Sequence, residues 1–568
     1  MLLKTEKGNA MTKIVNLKIK NFRGIKNFEH SFNQELICLV GRGDVGKTTI
    51  LEAISCVLSS SWNISFYDTD FYDCNIENNI EIETTVIDIP EELIAESKYG
   101  FYIRGYNRTT QRISDTLEDG QETALTIKLI VDKNLEPKWI VTTSRSQEDK
   151  NISAVDRAKL NCFLVSDYID SHFSWNKGSP LYSLLIDNSG HIDSNLVLDT
   201  IRDTKKKIDE EQFNCFDEIM MKIKEQSKLF GLNLSDPQTT VDFKDIVVKD
   251  GKMCLHENNV PLRLKGKGTK RLLSIAIQLQ LAKNRGITLI DEIEQGLEPD
   301  KIKQVVRTIK NENMGQIFIA THSRDAIVEL SVNDLTIVKN QDGELTLNNL
   351  DFNNDKLQGV VRACPEAFFA NKVIICEGAT EIGICRALDL YRKSKELDLM
   401  AQRDCYYVDG AGDNFVERAI EIKKFKNVCV LKDSDKSDDE EKNRTLEGHN
   451  IDVFTYENGN NIEKQILKDL PWKAVKELLE YAKEKQNKTD NSILQSLQAK
   501  NNSISEITNT PVVRENLAQV FKDKKWFKRI DYGEFLGQTI FEHFDEIDGT
   551  KLHNTLKSLL NWIDDNEL

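Results

Sequence analysis

Leu36-Ile37-Cys38-Leu39-Val40-Gly41-Arg42-Gly43-Asp44-Val45-Gly46-Lys47-Thr48-Thr49 is the stretch whose reading decides the fold. Five unbroken apolar residues predict a buried strand, and ILEAISCVL after the glycines carries helical spacing. Between them lies a Gly-x-x-x-x-Gly-Lys-Thr phosphate loop, in the strand-loop-helix context that gives the pattern its meaning. Gly41, Gly43 and Gly46 let backbone N–H groups converge on phosphate oxygens, and the helix N-terminus favours their negative charge. Lys47 is placed to reach the β- and γ-phosphates, Thr48 to ligate Mg2+, and Thr49 to line the same nucleotide site.

The partners of that loop come far downstream. ITLIDEIEQGLEPD sets Asp291 and Glu292 at the end of an apolar strand, Asp291 to hold Mg2+ and Glu292 to polarise an attacking water. IFIATHSRD ends a further strand at His322, one helix and one strand later, in position to contact a γ-phosphate. Upstream, IVNLKIKNF and FEHSF predict two short strands about a turn. IEIETTVIDI and TALTIKLIVD, within 80–150, predict a sheet arm decorating the core. From about 195 to 230 the pattern is helical and highly charged, which predicts an inserted helical arm with an interface role.

With 568 residues the chain needs two or three domains. Hydrophobic residues make up 39% and charged residues 30%, a balance that supplies several cores. No run of about eighteen apolar residues predicts a membrane span. MLLKTEKGNA lacks a signal-peptide core, so the cytoplasm is the expected location, and the first ten residues precede the strand-like run that follows Met11. Eleven scattered cysteines without a Cys-x-x-Cys pair read as core thiols. The net charge of −16 excludes a uniformly basic nucleic-acid coat but not a local basic surface.

A second α/β unit begins at KVIICEG. There the apolar run Val373-Ile374-Ile375-Cys376 ends in Glu377, followed by Glu381 at the start of the next helix. Later, Val428-Cys429-Val430-Leu431-Lys432 ends in Asp433-Ser434-Asp435, and period-two alternation aims both aspartates to one side. Carboxylates gathered at two strand ends repel unless divalent cations lie between them. Their hard oxygens favour Mg2+ or Mn2+ over zinc, with Ca2+ a further candidate.

The phosphate loop, Asp291-Glu292, His322 and Asn21-Phe22-Arg23-Gly24 together resemble the ABC ATPases of the SMC and RecF type. That resemblance implies a head that dimerises around ATP and presents a signature segment to the other subunit's nucleotide. The candidate segment is 264–271, with Lys267 and Gly268 as phosphate contacts. It lacks the family's serine before the second glycine, which puts hydrolysis in doubt more than binding. Glu377, Glu381, Asp433 and Asp435 in this order resemble the Toprim domain, with Asp409 in its intervening strand and turn.

An ABC head followed by Toprim resembles the OLD (overcoming lysogenization defect) family of nucleases, including Gabija-type and retron-associated members. The resemblance covers residues 12–60 and 262–470 through motifs. It implies DNA cleavage by two divalent metals, one held by Glu377, Asp433 and Asp435, the other by Glu381 and Glu463. It also implies that a lysine near the C-terminus assists the scissile phosphate. Lys528, within FKDKKWFKRIDYG, is the choice, against a reading in which Trp526 and Phe527 merely enter the core.

The expected architecture is α/β: an ABC-type ATPase domain over 1–365 with a helical dimerisation insertion about 160–240. A Toprim nuclease domain with a helical C-terminal extension follows over 366–568. The expected activity is ATP-regulated DNA endonuclease in prokaryotic antiphage defence, acting as a homodimer or homotetramer without membrane contact. The partner class is a helicase, or a retron reverse transcriptase with its DNA. The competing expectation is an SMC/RecF-like DNA-binding repair protein whose Toprim module does not cleave. A topoisomerase or primase is a third reading, to which the ABC head is foreign.

Overall fold

The computed structural model describes residues 12–145, 148–166, 169–175, 179–187, 214–235, 237–242, 252–283, 286–312, 315–350, 355–485, 489–496 and 506–565. The chain divides into two compact units, Met1–Phe352 and Asn353–Leu568.

The first unit is organised by a 14-stranded mixed sheet. Its parallel part runs, in spatial order, Cys162–Val165, Ile287–Ile290, Gln316–Thr321, Leu36–Val40 and Leu335–Gln341. Ile287–Ile290 and Gln316–Thr321 are buried throughout, as unbroken apolar strands of a covered parallel sheet must be. Because all five run the same way, their carboxyl ends share one edge. The helix Lys47–Val57 leaves that edge and buries Ile50, Leu51, Ala53, Ile54 and Val57, one apolar stripe.

The rest of the sheet is largely antiparallel and alternates. Lys13–Phe22 buries Ile14, Leu17 and Ile19, while Lys18 and Lys20 face Glu29 and Glu81 across neighbouring strands. Ile80–Ile87 pairs along its length with Lys13–Phe22, and Glu122–Val131 pairs with Ile80–Ile87. The predicted sheet arm extends the main sheet itself, completing the free backbone edge of Lys13–Phe22.

The predicted helical insertion needs a similar correction. Cys162–Val165, inside its span, is a strand in parallel register with Ile287–Ile290. Pro237–Asp242 is also a strand, paired with Lys252–Glu257. Helices do occur at Pro180–Asp187 and Asn214–Leu229. Residues 188–213, the middle of the expected arm, lie outside the described residues, as do residues 1–11.

The second unit is built on four parallel strands in the order Cys405–Asp409, Lys372–Cys376, Asn427–Lys432, Asp452–Thr455. The chain places its second strand on one side of the first and its third on the other. The strand order thus reverses between Lys372–Cys376 and Asn427–Lys432. A crevice opens outside the carboxyl ends at such a switch point.

Helices complete the unit, among them Ala379–Ser394, Ile462–Asp469, Trp472–Lys485, Pro511–Asp523, Ile530–Glu542 and Lys551–Ile563. Ile530–Glu542 meets Ala379–Ser394 backbone to backbone: a Cβ on Gly383 would lie 2.3 Å from the Gly533 carbonyl carbon. The loop predicted over 484–510 holds a short helix, Asp490–Ser496, while residues 486–488 and 497–505 lie outside the described residues.

Candidate functional site

Two strand-end clusters follow from this geometry, one in each unit. In the first, the phosphate loop leaves Leu36–Val40 between its two parallel neighbours. Gly46 has φ 96°, a left-handed backbone, and a Cβ there would strike Leu345 Cδ1 at 2.7 Å. At Gly41 a Cβ would lie 2.9 Å from the Val338 carbonyl oxygen. Lys47 is buried at 4% exposure, and its Nζ donates to the carbonyls of Gly41 (3.0 Å) and Arg42 (2.5 Å). Burial lowers its pKa to about 8 against the opposing pull of Asp291, Glu294, Asp44 and Glu292.

Thr48 Oγ1 donates to Asp291 Oδ1 at 3.0 Å, joining the loop to the neighbouring strand end, with Thr49 half-buried beside it. Burial raises the Asp291 carboxyl, and Glu292 adds to the rise. Glu292 is exposed and left-handed at φ 45°. His322 follows Gln316–Thr321; burial and the Lys47 charge hold its imidazole below the usual range, so it is neutral near pH 7. Its backbone N–H donates to Glu294 Oε1 at 2.6 Å, and Thr321 Oγ1 donates to Glu294 Oε2 at 2.6 Å. Glu294 thereby pins one strand end to the next.

Lys267 and Gly268 open the helix Lys267–Lys283. A Cβ on Gly268 would lie 2.5 Å from the Gly296 carbonyl oxygen, so this segment rests on the loop that follows Glu292. Arg271, 2% exposed, strengthens the junction by donating to the carbonyls of Ser166 and Glu292 (2.9 Å each) and to Gln295 Oε1 (3.0 Å). No hydrogen bond or ion pair ties Lys267 to the phosphate loop among the described residues.

In the second unit, Glu377 and Asp433 flank the switch point. Asp433 N–H donates to Glu377 Oε2 at 3.1 Å, and Asp433 Oδ1 accepts from Ile462 N–H at 2.8 Å. Glu381 caps its own helix by accepting from Gly378 N–H at 3.0 Å. Glu463 is 0% exposed and Glu381 2% exposed. Both oxygens of Glu463 and Oε1 of Glu381 are buried without a hydrogen bond.

Lys528 Nζ stands 3.4 Å from Glu463 Oε1 and 3.6 Å from Asp433 Oδ2, as an ion pair with each. Desolvation raises Asp433 to about 7; Lys528 opposes this, while Glu463 and Glu377 reinforce it. Glu381 is pushed well above the carboxylate range by burial and by Asp433. Burial is the leading cause of both shifts, and repulsion between neighbouring acids adds to it.

Asp435 is differently placed. The sheet strand ends at Lys432, Ser434 between the two aspartates bridges to Asn460, and Asp435 accepts from Lys522 Nζ at 2.8 Å. Asp409 is exposed and accepts from Ala411 N–H at 2.7 Å, a turn-shaping contact. Trp526 and Phe527 are buried at 1% each, while Lys528 between them and solvent reaches the acids. The aromatic side chains thus enter the core, while the lysine beside them pairs with the acids.

Among the described residues no three His, Cys, Asp or Glu side chains converge as metal ligands; Lys436, Lys522 and Lys528 pair with Glu377, Asp435 and Asp433. The donor set nevertheless fits a divalent cation, because Glu381 Oε1 and both Glu463 oxygens are buried without a hydrogen bond and offer hard ligands.

Residues 36–329, more than half of the 568-residue chain, match the family described as "AAA domain, putative AbiEii toxin, Type IV TA system". The chain belongs to this AAA domain family. It is also similar to an ATP/GTP phosphatase of Helicobacter pylori, with 26% identity over 351 residues, 55% of this chain and 86% of that protein. Among solved structures, the Pyrococcus furiosus Smc head domain bound to the C-terminal domain of ScpA is 15% identical. It covers 63% of this chain and 99% of that one, with a TM-score of 0.38. The recombination mediator protein RecF is 14% identical, covering 60% and 99%, with a TM-score of 0.35.

The AAA domain is an ATPase domain, and the phosphate loop, Asp291, Glu292, Lys267, Gly268 and His322 all lie inside it. Glu294 and Arg271 of the AAA domain were not singled out by sequence reasoning. An acid two residues beyond Glu292 and an arginine in a helix carry no local signal of the contacts they make. In the second unit Lys436, Lys522 and Tyr456 were missed for the same reason; Tyr456 Oη is buried beside the acids without a hydrogen bond. The Gly533-x-x-x-Gly537 spacing was legible as a close helix contact but was not used. The expected core thiols are free and buried at Cys38, Cys376 and Cys429. No helix of the described residues is long and apolar enough to cross a membrane.

Proposed function

We propose that the chain is an ATP-regulated, divalent-metal-dependent DNA endonuclease of the OLD type. In this reading an SMC/RecF-like head is followed by a Toprim unit. The observation that carries the reading is the cluster at the switch point: Glu377 and Asp433 joined across adjacent strand ends, with oxygens of Glu381 and Glu463 buried without hydrogen bonds beside them. Buried carboxylates cost several kcal/mol each when left uncompensated, so a fold that keeps this group has a use for its charge. Glu377, Glu381, Asp433, Asp435 and Glu463 would hold Mg2+, Mn2+ or Ca2+. A bound divalent ion at such a site activates water and stabilises a leaving oxygen. Lys528, within ion-pair distance of Asp433 and Glu463, is oriented to meet a phosphate at the same acids. Ile462 N–H fixes the Asp433 carboxylate, and Lys432, fully buried against Asp439, fixes the backbone that bears it.

In the head, Lys47, Thr48, Thr49 and the loop amides bind ATP with Mg2+, Asp291 and Glu292 serve the metal and the water, and His322 meets the γ-phosphate. Lys267 and Gly268 face a second subunit's nucleotide in a homodimer or homotetramer. The biological setting we infer is antiphage defence, with a helicase or a retron reverse transcriptase and its DNA as partner.

The lysines paired with Glu377, Asp433 and Asp435 favour one competing reading, an SMC/RecF-like repair protein whose second unit binds DNA without cutting it. Supercoiled plasmid incubated with Mg2+ or Mn2+, across an ATP titration, separates the two. Nicking that Asp433→Ala reduces by roughly 10²–10⁴-fold upholds the nuclease. Plasmid that is bound but never nicked by the wild type defeats it. The titration also reads whether nucleotide restrains or stimulates cutting.

A further inference from the structure

The helix Pro511–Asp523 ends in a turn that does something unusual with charge. Lys525 N–H bonds to the Lys522 carbonyl at 3.1 Å, and Trp526 N–H to the Phe521 carbonyl at 3.1 Å. That pair of bonds closes a Schellman turn, whose left-handed position belongs by preference to glycine. Here it is occupied by Lys525 at φ 52°. The turn is anchored from below: Trp526 and Phe527 are buried, Phe521 packs on both rings, and Thr380 Oγ1 bonds to the Phe527 carbonyl at 2.9 Å.

With the aromatics committed inward, Lys522, Lys524, Lys525, Lys528 and Arg529 are all exposed within eight residues, in a chain of net charge −16. Three of the five have carboxylate partners: Lys522 with Asp435, Lys528 with Asp433 and Glu463, Arg529 with Asp531. Lys524 and Lys525, between the two lysines that touch the acidic cluster, make no ion pair among the described residues. The helix macrodipole accounts for cations in a last turn. It does not account for a side chain placed where its own Cβ is disfavoured.

We propose that Lys524 and Lys525 form a phosphate-binding rim that grips the sugar-phosphate backbone of DNA alongside the carboxylate cluster. The rim rests on the reading of that cluster as a DNA site. A flexible polyanion matches it better than a folded acidic protein would. The anchored turn presents two adjacent exposed lysines with no ion pair among the described residues.

Binding of a labelled DNA duplex and of a labelled single strand to the full chain, followed by anisotropy in chelator over a range of salt, tests it without cleavage. Removing one lysine–phosphate pair lowers the slope of log Kobs against log salt by ~0.9 for duplex or ~0.7 for single strand. Lys524→Gln/Lys525→Gln is expected to lower the slope by ~1.8 or ~1.4 respectively. Lys525→Gly is expected to lower it by ~0.9 or ~0.7 while its Tm stays level or rises, since glycine suits the turn. Slopes equal to the wild type in both variants overturn the rim, as does a wild type that binds neither DNA. Slopes that fall while plasmid is never nicked leave the rim standing and remove the nuclease. Nicking with unchanged slopes does the reverse.

Discussion

The carboxyl edges of the sheets in the two units are both formed by parallel strands, one bearing a phosphate loop and the other a cluster of acids. In the first, the buried Lys47 is pushed toward neutrality, to about 8, beside an Asp291 that burial raises. In the second, buried acids are pushed toward neutrality, Asp433 to about 7. Desolvation penalises the charged form of each group, cation or acid. A bound phosphate would favour the charged Lys47, and a bound divalent cation the charged Asp433.

The largest expected effect tests whether the two edges are chemically separable. Lys47→Ala removes charge-assisted hydrogen bonds to phosphate and is expected to weaken ATP binding by roughly 10–100-fold, read with a fluorescent nucleotide. Nicking in Mn2+ without nucleotide is expected to persist in that variant; its loss would mean that the edges do not work independently.

Acid exposes the next difference. His172, 7% exposed and bonded through Nδ1 to Ser274 Oγ at 2.6 Å, is lowered to about 4 by burial and by Arg271. Its folded pKa lies below its unfolded value of about 6.5, so the unfolded chain binds the extra proton first. Stability is therefore complete above about pH 6.5 and falls as pH drops toward 4, by about 3 kcal/mol. Denaturant melts of the wild type and His172→Gln across this window check it: the variant should lose most of the slope. Asp433, raised rather than lowered, contributes with the opposite sign, so these two groups respond to acid in opposite directions.

The smallest effect sharpens the cation side. Mn2+ is expected to raise Tm by about 2–4 °C at ~100-fold excess over its Kd. Glu463→Gln, which removes a buried charge, is expected to raise Tm in chelator and to abolish the Mn2+ increment. A full increment in that variant would place the ion elsewhere.

Local sequence carried the parts whose physics is local. Glycines at 41, 43 and 46 before Lys47 specify a turn and a helix start over a few residues, and the apolar runs ending in Asp291, Thr321, Cys376 and Lys432 specify buried parallel strands. Glu377 and Asp433 were legible because each directly follows such a run. The predicted helical insertion failed at Cys162–Val165 because four residues are too short to declare strand or helix by periodicity; pairing with Ile287–Ile290 decided it. The predicted same-side placement of Asp433 and Asp435 assumed that one strand runs through both, whereas the sheet strand ends at Lys432 and Ser434 between the two aspartates pairs with Asn460.

The sequence by itself determined that this chain carries an ATPase phosphate loop and two acid-bearing strand ends, since both depend on contiguous residues and their intrinsic backbone preferences. Only the tertiary structure decided which distant groups complete them. Glu294 bridging to His322, Arg271 holding the Glu292 carbonyl, Lys528 reaching Asp433 and Glu463, and the Gly383–Gly533 contact all join residues separated widely along the chain. Burial and charge are properties of the neighbours that folding supplies. No local pattern encodes them, and they move Lys47 and Asp433 away from their ordinary pKa values.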